Sequence, residues 1–296
     1  MDLFQAAKRF DLLTVEQFDF ASNSWTGPRI KAQLKRGDQF LSIYHRPTRK
    51  RMLFTSPDQA PSSPVIRIKR TGEIFMVGAL QEDAHADVHY RNIYALTKPH
   101  ARATIIRKIP QGPADNPGWA VPVVVQKTWA DVELRSLTED EDKSVYHHGH
   151  VVITTPSNSP LQPHDTIVIG GLLGQEYYVL ERYVDSSLVN ARAVARGDER
   201  IDIVYRQHTG ETYDPASGMV LQSYTNRNVT ARISPVAEEE LKGDIVRDSI
   251  KMMVAASFIG IRPRINDKIT YQGHDYKVVK IDHNPLEDEY YVWANY

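Results

Sequence analysis

The feature that most constrains the fold is a short pattern that occurs three times along the chain. Each copy has a run of alternating apolar residues, then a glycine, then an aromatic residue and a valine three and five positions later. The three sets are Gly72 with Phe75 and Val77, Gly174 with Tyr177 and Val179, and Gly273 with Tyr276 and Val278. Residues two apart in a strand lie on one face, and glycine accepts the positive φ of a tight turn. Each copy is therefore predicted to be a β-hairpin.

The spacing of the glycines predicts a modular chain. Gly72 and Gly174 are 102 residues apart, and Gly174 and Gly273 are 99 apart. Such near-equal spacing indicates three modules of similar length, with predicted bounds 1–118, 119–197 and 198–296. The first boundary follows the proline-rich segment 110–118, which reads as a linker, and the second lies in the polar segment 196–200. Generic hairpins in unrelated β domains are the alternative.

Most other apolar segments also alternate, which predicts a mostly β protein of tandem small barrels or sandwiches. Examples are Val151 with Ile153 and Ile201 with Ile203, and glycines and prolines separate such runs. Helical spacing is seen only near the N-terminus, at residues 2–10. Segment 236–257 is ambiguous: residues 238–242 suit a helix, but Ile250, Met252, Val254 and Ala256 alternate, so we favour a strand there. Exposed edge strands of such modules would allow a neighbouring subunit to add a strand.

Composition excludes several kinds of protein. With 41% hydrophobic and 25% charged residues, the 296-residue chain has the profile of a folded protein. It has no cysteine, which excludes disulfides, thiolate metal sites and cysteine nucleophiles. The sequence contains no run of about 18 apolar residues, which a membrane helix would need, and the charged N-terminus does not resemble a signal peptide. We therefore expect a location in a host cytoplasm.

The net charge of −1 conceals two unlike parts. Residues 1–110 carry a formal charge of +8 and residues 111–296 one of −9. The densest basic cluster is Arg49, Lys50 and Arg51. This cluster either meets an acidic protein or nucleic acid or is ordinary solvated surface. Aromatic residues are not interleaved with it, as they are in domains that read nucleic-acid sequence.

The sequence offers little that predicts catalysis. His147, His148 and His150 are the best metal candidates, but neighbouring residues on a strand point to opposite faces, so no metal site is assigned. Phosphate-binding, dinucleotide-binding and hydrolase motifs are absent from the sequence. We expect no enzyme activity, no catalytic residues and no cofactor.

An ordered series of motifs lies in the last hundred residues. It consists of Tyr213-Asp-Pro-Ala-Ser-Gly218, Ile265-Asn-Asp-Lys-Ile269, Gly273-His-Asp-Tyr-Lys-Val278 and Ile281-Asp-His-Asn-Pro285. The proline and glycine of the first motif predict a turn. This series resembles the neck, or head–tail connector (head-closure), proteins of tailed bacteriophages, clearest over residues 200–296. Members of that family are usually single small β-barrels, so three modules would be a departure.

The resemblance implies a structural virion protein in the phage neck, assembled in the host cytoplasm. It implies a ring of identical subunits between the portal and the tail, which seals packaged DNA and gives the tail a docking surface. The implied partners are further copies of the chain, the portal protein, neighbouring neck or tail proteins and, non-specifically, DNA, but no membrane. The alternatives are another β-rich virion component, such as a tail tube or baseplate protein, and a glycan-binding or hydrolytic β protein.

The C-terminal segment is rich in the aromatic residues that interfaces favour. Its candidates are Tyr290, Tyr291, Trp293 and Tyr296. The segment either packs on a neighbouring subunit or forms the last strand of its own barrel. We expect the interface residues to come from this group and from Arg49, Lys50 and Arg51.

Overall fold

The computed structural model describes residues 12–36, 50–85, 88–134, 150–170, 175–185, 187–195, 199–236, 240–241, 245, 249–285 and 288–296. The predicted N-terminal helix, the basic residue Arg49, the repeat glycine Gly174 and the histidines His147 and His148 lie outside the described residues. For Lys50 and His150 only the backbone is described.

The mostly β prediction is confirmed: the described chain forms three six-stranded antiparallel sheets. The first contains β1 (Leu13–Gln17), β2 (Ile30–Arg36), β3 (Lys50–Thr55), β4 (Val65–Ile68), β5 (Ile74–His85) and β6 (Val88–Thr97). The second contains β7 (Ala101–Pro110), β8 (Ala120–Leu134), β9 (His150–Thr155), β10 (Thr166–Ile169), β11 (Gln175–Asp185) and β12 (Leu188–Val194).

The third sheet contains β13 (Ile201–Asp214), β14 (Met219–Pro235), β15 (Ile250–Ala255), β16 (Lys268–Tyr271), β17 (His274–Asn284) and β18 (Glu289–Asn295). One short helix, α1 (Ala256–Ile259), follows β15. The strand favoured over a helix within 236–257 is therefore present as β15.

All three sheets have the same strand order. In the first, the order is β1-β2-β3-β6-β5-β4, and the other two repeat it with their own strands. Pairing of β1 with β4 closes the first sheet into a barrel, and pairing of β13 with β16 closes the third. Because every strand of a closed barrel has two neighbours, closure removes the exposed edges that an open sheet would present.

The threefold sequence pattern occupies the same place in each sheet. In each hairpin the aromatic residue lies directly opposite an isoleucine of the preceding strand: Phe75 with Ile66, Tyr177 with Ile167, and Tyr276 with Ile269. A β-bulge follows the valine in all three copies. Bulges increase the local twist that a small barrel needs, so the repeated pattern marks the point at which each sheet curves.

Each sheet surrounds its own hydrophobic core. Ile66, Ile167 and Ile269 are completely buried, and Val179 and Val278 are too. The three cores consist of separate sets of residues. The sheets are therefore three modules that share a topology, each with an interior of its own.

The first predicted boundary needs correction. Segment 110–118 joins β7 to β8 of the second sheet, so the change of sheet lies between Thr97 and Ala101 rather than at residue 118. Prolines break a strand ladder, and here they do so in the connection of one hairpin rather than between modules. The second sheet ends at Val194 and the third begins at Ile201, on either side of the predicted boundary at 197.

The chain forms two compact units. One consists of Met1–Ile106 and Val124–Asp198, and the other of Arg107–Val123 and Glu199–Tyr296. The connection between β7 and β8 thus belongs to the same unit as the third barrel.

Candidate interaction surfaces

The residues of the repeated pattern lie in structural positions. Phe75, Tyr177 and Val77 are buried, while Tyr276 is half-buried. Gly72 and Gly273 have φ values of 71° and 82°, the left-handed region that glycine adopts most readily. The pattern therefore explains how the hairpins form.

The structure brings the two groups of predicted interface residues only partly to the surface. In the basic cluster, Arg51 is half-buried in β3, opposite Arg36 of β2 and Leu96 of β6. In the aromatic C-terminal segment, β18 pairs with both β15 and β17, so the segment forms the last strand of its own barrel.

Only one of the four C-terminal aromatic residues is fully exposed. Trp293 is 5% exposed, and Tyr290 and Tyr291 are half-buried. The Lys280 ammonium lies 4.2 Å from the centre of the Trp293 ring, in a cation–π contact on the barrel's outer side. Tyr296 is 74% exposed.

A junction within the first unit joins the first connection, residues 18–29 between β1 and β2, to the second sheet. The Phe18 ring meets Trp129 of β8 nearly at right angles, with ring centres 4.4 Å apart. The Arg102 guanidinium of β7 lies 4.4 Å from the centre of the Trp129 ring and donates a hydrogen bond to Asn23 Oδ1 at 3.3 Å. Phe18 and Trp129 are both 3% exposed. The first connection is therefore firmly packed on β7 and β8.

A corresponding junction lies within the second unit. It joins the third barrel to the second connection, residues 111–119 between β7 and β8, and to the strand residues beside that connection. The Ala120 N–H donates to Thr230 Oγ1 at 2.8 Å, and the Thr230 hydroxyl donates to Asp202 Oδ1 at 2.6 Å. The Trp119 indole N–H donates to the Ile203 carbonyl at 3.4 Å. A Cβ at Gly260, just after α1, would lie 2.3 Å from the Ala114 carbonyl oxygen. Only glycine allows the connection to approach so closely.

Strand register shows that the two junctions use equivalent positions. On the second strand of each sheet, the reference position is a residue that pairs with the third strand. These pairs are Leu34 with Leu53, Val132 with Ile153 and Ile233 with Met252. Three residues earlier on the same strands are Lys31, Trp129 and Thr230. On the first strand of each sheet, the reference position is the residue that pairs with the buried isoleucine of the repeated pattern. Three residues earlier on these strands are Thr14, Arg102 and Asp202.

Both junctions therefore use the same pair of outward positions on the sheet that receives them, the second through Ala120, the first residue of β8 after the connection. In the second sheet the pair is Arg102 and Trp129, and in the third it is Asp202 and Thr230. In the first barrel the pair is Thr14 and Lys31, joined by a hydrogen bond from Lys31 Nζ to Thr14 Oγ1 at 2.8 Å. Lys31 is exposed. We call Thr14 and Lys31 the first-barrel acceptor pair.

The corresponding connection of the third barrel is a long hairpin. β13 pairs with β16 only at Val204–Arg206, and β14 pairs with β15 only at Arg232–Pro235. Beyond these points residues 207–214 pair with 219–225 alone, and we call this part the projecting hairpin. Its tip exposes four large apolar side chains: Tyr213 at 64%, Met219 at 62%, Val220 at 56% and Leu221 at 54%. Adjoining exposed apolar residues of this size are typical of an interaction site.

Local hydrogen bonds order the tip. The Asp214 carboxylate accepts from the Ala216 N–H at 3.0 Å and from the Ser217 hydroxyl at 2.6 Å. These bonds, first of all the one from Ser217, lower the pKa of Asp214 below its ordinary value. Gly218 completes the turn with a φ of 68°. The hairpin thus presents its apolar residues on a defined scaffold.

Sequence reasoning identified the turn at 213–218 but not the apolar tip beside it. The signal was present, because Met219, Val220 and Leu221 form an apolar run directly after a turn. Such a run in a two-stranded ribbon has no core to enter. The junction residues Phe18, Arg102 and Trp129 were missed as well.

Other kinds of site receive no support from the described part of the chain. It contains no group of three or more histidine, aspartate or glutamate residues placed to hold a metal ion. None of its helices is long and apolar enough to cross a membrane. Comparisons of the chain with protein-family models, with curated proteins and with solved structures find no match.

Proposed function

We propose that this chain is a structural virion protein of a tailed phage, a neck or head-to-tail connector that assembles between the portal and the tail. The neck-like motifs support the proposal by their positions. The turn 213–218 forms the tip of the projecting hairpin, and the segment 265–278 forms β16 and the start of β17 beside the hairpin's base. Its mechanism is assembly through shape, apolar contact and charge rather than bond chemistry.

The observation that carries the proposal is the exposed apolar tip of the projecting hairpin. A chain of closed barrels binds neighbours poorly through its strand edges, since those edges are already paired. A stiff ribbon that carries Tyr213, Val220 and Leu221 into solvent supplies the large apolar contacts that stable interfaces need. Such a contact serves a protein that joins other proteins in a particle.

The charge distribution supports an orientation within the neck. The +8 charge of residues 1–110 suits the portal or the end of the packaged DNA, and the −9 charge of the remainder suits the tail side or a lumen that does not bind DNA. In the proposed orientation the first barrel faces the head.

Labelling of phage particles tests the proposal. A tag-specific antibody fragment against the C-terminus should bind particles at the junction of head and tail. Particles made without the protein should be tailless heads that have lost their packaged DNA. Label on the tail tube, on the baseplate or absent from particles would overturn the proposal. Binding or hydrolysis of glycans by the purified chain would favour the glycan alternative.

The orientation has a separate test. Reversal of charge at Arg49, Lys50 and Arg51 should weaken co-sedimentation with the portal protein. The same reversal at the exposed residues Arg70 and Lys127 is the control for non-specific charge effects. Portal binding that survives the first change would contradict the proposed orientation but not the connector role.

A further inference from the structure

The two junctions follow one rule. Each time, the connection between the first and second strands of a sheet lies on the equivalent outward pair of the sheet that follows in sequence. Phe18 and Asn23 reach Trp129 and Arg102, and Ala120 reaches Thr230, which is held by Asp202. Within the described part of one chain the rule leaves two features over: the projecting hairpin of the third barrel, which no later sheet receives, and the acceptor pair of the first barrel, on which no earlier connection lies.

We infer that the projecting hairpin of one copy binds the first-barrel acceptor pair of a second copy, so that chains associate head to tail. The interface between chains would repeat the arrangement that already joins successive sheets within a chain. The inference rests on the proposed function for its biological setting and on the register of the strands for its geometry.

Charge complementarity supports a second copy as the occupant. The acceptor pair contains the exposed Lys31, and two more basic residues lie beside it: Lys69, whose backbone N–H donates to the Thr14 carbonyl at 3.0 Å, and Arg29, which forms an ion pair with Glu16 at 3.6 Å while its side chain stays 63% exposed. The tip of the projecting hairpin carries the acidic residues Glu211 and Asp214. The donor and the acceptor therefore carry opposite charges, which favours their correct pairing.

The geometry also determines the kind of assembly. Donor and acceptor are different surfaces, so the contact is heterologous and each copy can bind one neighbour through its donor and another through its acceptor. Such an interface forms a ring when its rotation closes and a filament when it does not. A phage neck would use the closed form.

The test uses sedimentation velocity of the full chain at about 1 to 100 µM, the range in which an interface of moderate affinity changes occupancy. A donor variant carries Val220→Asp and Leu221→Asp, and an acceptor variant carries Lys31→Glu. All three positions are exposed, so the fold should tolerate the changes, which circular dichroism checks. Each variant should associate at least about tenfold more weakly than the wild type.

A matched control separates this site from general surface hydrophobicity. Val184 is 60% exposed near the end of β11, much like Val220, but lies on a hairpin that the rule does not name. Val184→Asp should associate like the wild type. A loss of association in this control equal to that of the donor variant would overturn the inference.

Mixing the two variants gives the most specific result. The donor variant retains its acceptor and the acceptor variant retains its hairpin, so an equimolar mixture should form dimers and nothing larger. A monomeric wild type, a donor or acceptor variant that associates normally, or a mixture that stays monomeric would each overturn the inference. Label outside the neck would overturn the proposed function instead, whatever the sedimentation result.

Discussion

The substitution Phe18→Ala tests the packing rule where the structure describes it most fully. Phe18 is 3% exposed, and its ring meets three others at steep angles: Trp129 at 4.4 Å, and Phe20 and Trp25 at 5.1 Å each. Removal of the ring leaves a cavity in the first junction and deletes all three contacts. The first unit should lose stability because its two sheets share this cluster.

The expected loss is about 4 kcal/mol, since replacing a buried phenylalanine by alanine typically costs about 3 to 5 kcal/mol. In a unit of this size each kcal/mol corresponds to about 2 to 4 °C of melting temperature, so Tm should fall by roughly 10 °C. The part due to the contact between Phe18 and Trp129 should be about 1 kcal/mol, the usual value for an edge-to-face pair.

A double-mutant cycle isolates that contact. Phe18→Ala and Trp129→Ala are measured singly and together by urea unfolding, followed by far-ultraviolet circular dichroism, and their coupling free energy should be about 1 kcal/mol. A second cycle pairs Phe18→Ala with Leu53→Ala, which lies in a different core cluster, and should be additive. Coupling below about 0.3 kcal/mol in the first cycle would refute the assignment of the ring contact as the source of junction stability.

Three other positions give defined expectations. Tyr205→Phe removes a donor from the buried Asp267 carboxylate (2.6 Å to Oδ2) and should lower the unfolding free energy by about 1 to 3 kcal/mol in urea titrations. Glu16 accepts two hydrogen bonds from Arg67, which lowers the pKa of the Glu16 carboxyl; the stability this provides is present above its ordinary pKa of 4.5 and is lost as pH falls through the lower folded value. Urea titrations at several pH values should show that Glu16→Gln removes this dependence. Gly273→Ala imposes a side chain at φ 82° and should cost about 1 kcal/mol in thermal melts.

Matched controls accompany these changes. Tyr213→Phe alters an exposed tyrosine and should leave stability within about 0.5 kcal/mol, and Gly210→Ala places a methyl group in open space at a glycine without positive φ. Equal losses at Tyr213 and Tyr205, or at Gly210 and Gly273, would contradict the hydrogen-bond and backbone explanations. An unchanged acid dependence in Glu16→Gln would show that other carboxylates dominate it.

The fold class was predictable because its signals are local. Alternation of apolar residues depends on neighbours two positions apart, and the glycine turn depends on a few residues. Strands β5, β11 and β17 can therefore be predicted from the sequence. The same alternation distinguished β15 from a helix. The turn at Asp214–Gly218 was visible for the same reason.

The division into sheets was harder, since pairing of distant strands leaves a weaker trace. A second repeat in the sequence would have revealed the division into sheets. Its members are Ala32, Ala130 and Ala231, which are all completely buried and each lie two positions before an aliphatic residue of the core. This repeat assigns β8 to the same place as β2 and β14. Segment 110–118 would then read as a connection inside the second sheet.

The junctions carry no such repeat, and the physical reason is specific. Lys31, Trp129 and Thr230 occupy one structural position but differ in size, polarity and charge. Their surroundings differ too, because Trp129 packs on Phe18, Thr230 accepts from the Ala120 N–H and Lys31 is exposed. Core positions repeat since the barrels share an interior shape, whereas outward positions diverge with what covers them. Repeats in the sequence therefore reveal the modules but not the contacts that join them.

Closure of the barrels alters how assembly through this chain should be understood. Exposed edges would let neighbouring subunits add strands, as the sequence predicts, but in the first and third barrels both edges of every strand are paired. Contacts with a partner must then come from side chains on the outer surface or from connections that extend beyond the sheets. The projecting hairpin is such a connection, and its length and apolar tip are unnecessary for closing the third barrel. Because the hairpin adds nothing to that core, its apolar residues are best explained by a surface outside the barrel that they cover.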